Sequence, residues 1–294
     1  MTKKLGFVFD SFSSKTPEFM EENNYGYFPF RTDIDGEIFT DFGGYEQKHV
    51  LEKIKNSKVA KSSLPNLELM SEVIKQKSKE FDDVLVFCIS SALSSTYQQV
   101  VKIASEYPNV YVYDNSWAGE QYFDVVDYIT KYYEANNGDM KSVIKKLDEI
   151  MEKSIIYVFP PSVDYVIKGG RVSSFKKFLL RGIKLIGLNP YVKFYKNEAS
   201  TGGIGRTQKG ALNKMIDKMI TFGSEYSKEF DPKKFKFHIF QGCNDILVEN
   251  VKNILSKHNI APKLSGFIPS AVAVHTGPEA VCITMLPDLS DWDI

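Results

Sequence analysis

The residue types best suited to chemistry begin at Ser90. There Ser90-Ser-Ala-Leu-Ser-Ser-Thr96 follows Val84-Leu-Val-Phe-Cys-Ile89 without a break, and a helical pattern runs on from Tyr97 through Ala104. Consecutive apolar residues of this length read as a strand buried on both faces, as in a parallel sheet. Hydroxyls and the unpaired N–H groups of a starting helix are donors for an anion. Ligands of open parallel sheets bind beyond the carboxyl ends of the strands. The chemistry offered is recognition of an oxyanion.

Ser94 and His275 could also serve as nucleophile and base of an acyl hydrolase, with His275 in a loop before Thr-Gly-Pro278. Against this, Gly-x-Ser-x-Gly is absent and no acidic partner is marked by spacing. Gly202-Gly-Ile-Gly205 lacks the strand–turn–helix setting of a nucleotide loop, and no Gly-x-x-x-x-Gly-Lys occurs. Cys88, Cys243 and Cys282 lie in apolar surroundings without metal-type spacing and read as small buried hydrophobes. We expect no metal and no cofactor. Arg31, Arg171, Arg181 and Arg206 are the only arginines in a chain that otherwise uses lysine, so each invites a local reason such as bidentate oxyanion binding.

The elements that must position these residues are ordinary in composition. The chain has 294 residues, 43% hydrophobic and 25% charged, long enough for two domains. Lys and Arg number 37 and Asp and Glu 37, a balance that gives no overall pull toward nucleic acid. Leu5 to Phe9 is too short an apolar run for a signal peptide, and nothing approaches the roughly 18 apolar residues of a membrane span. A cytoplasmic, soluble, monomeric protein is expected.

Leu5–Phe9, Tyr25–Phe30, Val84–Ile89 and Val110–Tyr113 read as strands alternating with helices, which argues for a doubly wound parallel sheet. Asp10-Ser11 and Asp114-Asn-Ser116 end two of them and read as helix caps. Turn signals at Asp35-Gly36 and Gly43-Gly44 mark a small hairpin excursion near 31–44, and Lys61-Ser-Ser-Leu-Pro65 reads as a loop. A helix is expected from Trp117 to Glu134. Ile155–Phe159 is a strand, and Pro160-Pro161 sets the boundary between a domain of residues 1–160 and an α+β domain of residues 161–294.

Taken together, Asp10-Ser11, Lys61-Ser-Ser-Leu-Pro65, Ile89-Ser-Ser-Ala-Leu-Ser-Ser-Thr-Tyr-Gln98, Tyr165-Val-Ile-Lys-Gly-Gly-Arg-Val-Ser173 and His275-Thr-Gly-Pro278 resemble the DegV family in order and spacing, over almost the whole chain. These are bacterial fatty-acid-binding proteins, among them the FakB acyl-carrier subunits of fatty-acid kinase. The resemblance implies an α/β, two-domain DegV-like fold, with an N-terminal Rossmann-like parallel sheet and a C-terminal α+β domain. It implies a carrier without catalysis of its own. One long-chain fatty acid would lie in an internal apolar tunnel enclosed by the two domains, with residues 1–160 as the lipid-binding domain and the acyl chain in its core, and be presented to a FakA-like kinase for conversion to acyl phosphate, with transient membrane contact. Ser62, Ser94 and Ser95 would then bind the carboxylate, and Arg171 and His275 would support phosphate transfer at the mouth. The chain departs from the family pattern at Leu64, Ser95, Asn189 and Glu279. Alternatives are the Ser94–His275 hydrolase and a lipid sensor without a kinase. Burying about fourteen methylenes at roughly 0.8 kcal/mol each gives around 11 kcal/mol before ordering costs. The carboxylate must recover hydrogen bonds or its burial is strongly penalised.

Overall fold

The computed structural model describes residues 3–169, 187–226 and 229–294. In chain order the elements are β1 (Leu5–Asp10), α1 (Pro17–Glu22), β2 (Gly26–Phe28), β3 (Arg31–Ile34), β4 (Glu37–Thr40), α2 (Gln47–Asn56), β5 (Ala60–Ser63), α3 (Leu67–Glu80), β6 (Asp83–Phe87), α4 (Thr96–Ala104), β7 (Val110–Val112), α5 (Glu120–Ala135) and α6 (Met140–Glu152). They continue with β8 (Ile155–Phe159), α7 (Val163–Gly169), β9 (Asn189–Tyr195), β10 (Glu198–Gly205), α8 (Gln208–Ser224), β11 (Phe235–Gln241), α9 (Asp245–Ser256), β12 (Lys263–Phe267), α10 (Ser270–Thr276) and β13 (Val281–Pro287).

Among the described residues these strands form three sheets. The first is parallel, in the order β2-β1-β6-β7, and β1 and β6 at its centre are buried along their whole length, as their unbroken apolar runs require. The second is mixed, in the order β10-β9-β8-β13-β11-β12, with only β11 and β12 running parallel. The third, β4-β3-β5, is antiparallel. Its tight turn places Asp35 at φ 51° and Gly36 at φ 91°, the left-handed pair that a two-residue hairpin selects.

Several sequence expectations shift. The hairpin near 31–44 gains a third strand, because Ala60–Ser63, read as a loop, pairs with β3 along its length. Strand β8 pairs with β13 and β9, so the sheet changes before residue 155 rather than at the Pro160-Pro161 boundary. Gly202 to Gly205 lie inside β10, in keeping with the absence of a nucleotide-loop setting. The helix expected from Trp117 starts at Glu120, after Gly119 at φ 54°.

The first sheet packs one face on α3 and α4 through Val8, Val84, Val86, Met70, Ile74 and Val100. Its other face carries Phe7, Phe9 and Phe87; Phe9 meets Tyr122 and Phe123, and Phe87 meets Tyr122 and Trp117, at ring separations of 5.3 to 5.9 Å. The same apolar cluster takes in Ile129, Val143 and Leu147 of α5 and α6 and continues to Ile156, Phe194, Phe240, Cys282 and Leu286 of the second sheet. The far face of the second sheet is covered by α8 and α9. Polar ties cross between the two sheets as well. The Glu120 carboxylate takes Lys15 at 2.7 Å and also pairs with Lys263, while its backbone N–H donates to Ser265. Burial pushes the Glu120 carboxyl up, but the hydrogen bonds from Lys15 and Lys263 outweigh it and hold the group below its ordinary value.

At Gly119 the first unit lies directly against Phe240 of the second sheet. A Cβ there would lie 1.6 Å from Cζ of Phe240, and its φ of 54° already disfavours any side chain. Gly119→Ala should therefore lower stability by roughly 2–4 kcal/mol through overpacking and backbone strain. Urea unfolding checks this, and an effect within 0.5 kcal/mol, the usual range of surface substitutions, would contradict the packing.

Candidate functional site

The apolar layer between the first two sheets is not completely filled. Beyond Phe12, Ile89 and Ala118 of the first unit, and Ile156, Val158, Phe194, Phe240 and Cys282 of the second sheet, lies a cavity of about 330 Å³. That volume is within the range of small-molecule sites. The first unit's own core is occupied by its aromatic cluster, so the space lies between the units. At one end stand Ser62, Ser63, Ser94, Ser95, Thr96 and His275. Ser62 and His275 also line a second, more open cleft of about 730 Å³, with Lys58, Lys61, Asp164 and Tyr165. The pair thus lines both spaces.

Each polar residue is held by identifiable neighbours. Ser62 lies on β5 directly opposite Thr32 of β3. Cross-strand partners project to the same face, so both hydroxyls point to one side of the small sheet. That side is covered by α10, and the Ser62 hydroxyl meets His275 Nε2 at 2.8 Å. Ser94 lies in the turn after β6, held by its N–H to the Ser90 carbonyl at 3.1 Å. Its oxygen accepts the Thr96 N–H at 3.2 Å and lies 2.9 Å from the Thr96 hydroxyl. Ser95 is the exposed cap residue of α4, without a side-chain capping bond.

The carboxylates flagged as caps do more than cap. Asp10 accepts the Phe12 N–H at 2.9 Å locally, but its other oxygen accepts the Ile89 N–H at 2.8 Å, joining the ends of β1 and β6. Asp114 takes the Ser91 N–H at 3.0 Å and the Ser91 hydroxyl, fixing the start of the hydroxyl run. Ser116 bonds Asn197 of the turn between β9 and β10, with the Asn197 N–H donating at 2.6 Å.

The structure therefore brings Ser62, Ser94, Ser95 and His275 to one cavity. Arg171 falls outside the described residues. The hydrolase pairing of Ser94 with His275 is not the one seen: His275 bonds Ser62, and Ser94 bonds Thr96. Thr96 was not singled out, although it ends the hydroxyl run. Asp41, Thr32 and Ser270, which surround the start of α10, left no signal, because their bonds join residues 229 and 238 positions apart. Among the described residues no group of three His, Cys, Asp or Glu side chains is placed to hold a metal ion, and no helix is long and apolar enough to cross a membrane.

Burial drives the Asp10 carboxyl up to about 7, against the lowering by the two backbone N–H bonds. The folded chain thus holds this proton more tightly than the unfolded chain. The stabilisation is complete below pH about 4 and is lost as pH rises through about 7, on the order of a few kcal/mol. Asp10→Asn should flatten the decline in unfolding free energy between pH 4 and 8. Denaturant titrations at several pH values check this, and equal slopes in the two proteins would count against it.

The chain was compared with known proteins. The model of a family described as "Uncharacterised protein, DegV family" matches residues 4–288. A protein of Thermotoga maritima described as a fatty acid-binding protein is 28% identical over 232 residues, 76% of each chain. A solved DegV family structure from Thermus thermophilus, described by its fatty acid binding, superposes with a TM-score of 0.81 at 19% identity, covering 97% of this chain and 99% of that one. A stearic acid-binding protein of Eubacterium ventriosum superposes at 0.79 and 22% identity, covering 97% and 98%. At these identities the superpositions speak for the fold.

Proposed function

The chain belongs to the DegV family, and from that premise we propose that it binds one long-chain fatty acid and presents the carboxylate to a fatty-acid kinase. The observation that carries the reading is the apolar cavity between the sheets with hydroxyls gathered at one end. The fatty-acid binding described for the Thermotoga, Thermus and Eubacterium proteins supports the ligand class. The acyl chain lies against Phe12, Ile156, Phe194 and Phe240, and the carboxylate meets Ser62, Ser94 and Ser95.

The hydrogen-bond directions suit an anion. Ser94 accepts from the Thr96 N–H, and with the Thr96 hydroxyl donating to it as well, its own proton is left for the ligand. With His275 protonated at Nε2, the ring donates to Ser62 and frees that hydroxyl's proton in the same way. A hydrolase needs the reverse direction at Ser62, with the serine giving its proton to the imidazole. The Ser62–His275 contact is the one observation that favours that second reading. Stoichiometric labelling of Ser62 by a fluorophosphonate would establish it; a carrier leaves both serines unlabelled.

The open cleft beside His275 leaves the carboxylate end approachable from outside. His275 and Arg171 serve the transfer end, where a phosphate gains from a bidentate guanidinium and an imidazole donor. Organic extraction and mass spectrometry of the purified protein should yield one long-chain fatty acid per chain. Ser62→Ala and Ser94→Ala should each weaken binding about tenfold, the worth of one hydrogen bond to a charged group. Arg171→Ala and His275→Ala should retain the lipid while acyl-phosphate formation by an added fatty-acid kinase collapses. Loss of lipid in both, at unchanged Tm, would show that these two residues hold the ligand instead.

A further inference from the structure

Helix α10 carries His275 to the mouth, and its other end is gripped by a buried polar cluster with no part in the carboxylate site as proposed. Asp41, just past β4, is 1% exposed. One of its oxygens accepts the Ser270 N–H at 2.7 Å and the Ser270 hydroxyl as well. The Ser270 oxygen lies 2.7 Å from the Thr32 hydroxyl. A serine has a single proton to give. With that proton committed to an ionised Asp41, Thr32 must donate to Ser270, and the chain runs in one sense from Thr32 through Ser270 to Asp41. Gln47 of α2 adds a bond from its amide to the Ile268 carbonyl at 3.0 Å. Three elements of the first unit therefore converge on residues 268–270. At the other end of the same helix His275 meets Ser62, and Ser62 is the cross-strand partner of Thr32. The helix is fastened at both ends to one pair of strands.

We propose that Asp41 is a positioning residue: through Ser270 it fixes α10 on β3 and β5, and so sets His275 against Ser62 at the mouth of the cavity. Hydrogen bonds to an ionised, buried carboxylate are the stronger kind, and losing one leaves its partners unsatisfied. A helix of two turns has little internal stability to hold itself in place without them. Loosening its start therefore shifts His275, five residues along. The consequence for ligand exchange rests on the fatty-acid reading above; the consequence for the imidazole does not.

The test compares Asp41→Asn with Asp124→Asn. Asp124 also joins the two units, taking His238 at 3.1 Å and Lys236 at 2.8 Å, but it does not line the cavity. Two readouts are taken on the full chain. One is the imidazole resonance of His275 in protein stripped of lipid, assigned with His275→Gln. The other is the dissociation rate of a fluorescent sixteen-carbon fatty acid. Asp41→Asn should move the His275 resonance and speed dissociation about tenfold, the worth of one charge-assisted bond. Asp124→Asn should lower Tm and change neither. Ser270→Ala, which keeps its N–H on Asp41, should act in the same direction by a smaller factor and serves if Asp41→Asn does not fold. An unmoved His275 resonance overturns the proposal, and so do equal rate changes in both variants in proportion to their loss of Tm. If no fatty acid binds, the imidazole readout alone decides, so failure of the ligand reading and failure of this one are separable.

Discussion

Two sheets share a single apolar layer, and that layer is only partly filled. A sheet face rich in Phe, Val and Ile must be covered. Here α5 and α6 cover much of both facing surfaces, and the aromatic cluster around Phe9, Phe87 and Trp117 completes the first unit's share. Where the filling stops, at the contact of Phe240 on Gly119, the facing surfaces enclose empty volume instead of a helix. A concave, largely apolar space with a few polar groups at one end is the usual form of a small-molecule site. Its walls are apolar and only one end is polar, which fits an amphiphile with one charged head.

The loops around the polar end are held by carboxylates that stand outside the cavity. Asp10, Asp114 and Asp41 each bind backbone N–H groups at the ends of strands or the starts of turns. They hold the loops without facing the cavity themselves. The polar residues that do face it include the hydroxyls of Ser62, Ser63, Ser94, Ser95 and Thr96 and the imidazole of His275. On the reading proposed above, a division of this kind would keep negative charge away from the carboxylate while still fixing its donors.

Much of this was legible in the sequence, and the failures have physical causes. The unbroken run from Val84 to Ile89 marked the central strand, since only strands buried on both faces lose their alternation. Several of the hydroxyls that follow line one end of the cavity. Ala60–Ser63 carries no apolar alternation, because one face is given to hydroxyl contacts with α10 and the other to solvent; its pairing with β3 is what makes it a strand. Helix α10 was hidden for a related reason. Ser270-Ala-Val-Ala-Val-His275 is short and half β-branched or aromatic, and Pro269 at its cap position makes no side-chain bond. Its start is capped from Asp41, 229 residues away, where no local pattern can reveal it. The same long reach hid the Ser62–His275 contact, which spans 213 residues.

The pairing of Thr32 with Ser62 has a bearing on how such chains can vary. Side chains alternate across a strand, so register is a matter of parity. One residue inserted within Ala60–Ser63 would turn the Ser62 hydroxyl to the opposite face and bring a neighbour beneath His275. A two-residue change would preserve the face but shift the hydroxyl along the strand. By contrast, the turn at Asp35-Gly36 and the connection through α2 lie outside the paired residues, and added length there leaves parity untouched. Length differences among relatives should thus gather at the 35–36 turn and in the connection after Gln47, while β3 and β5 keep their length to the residue.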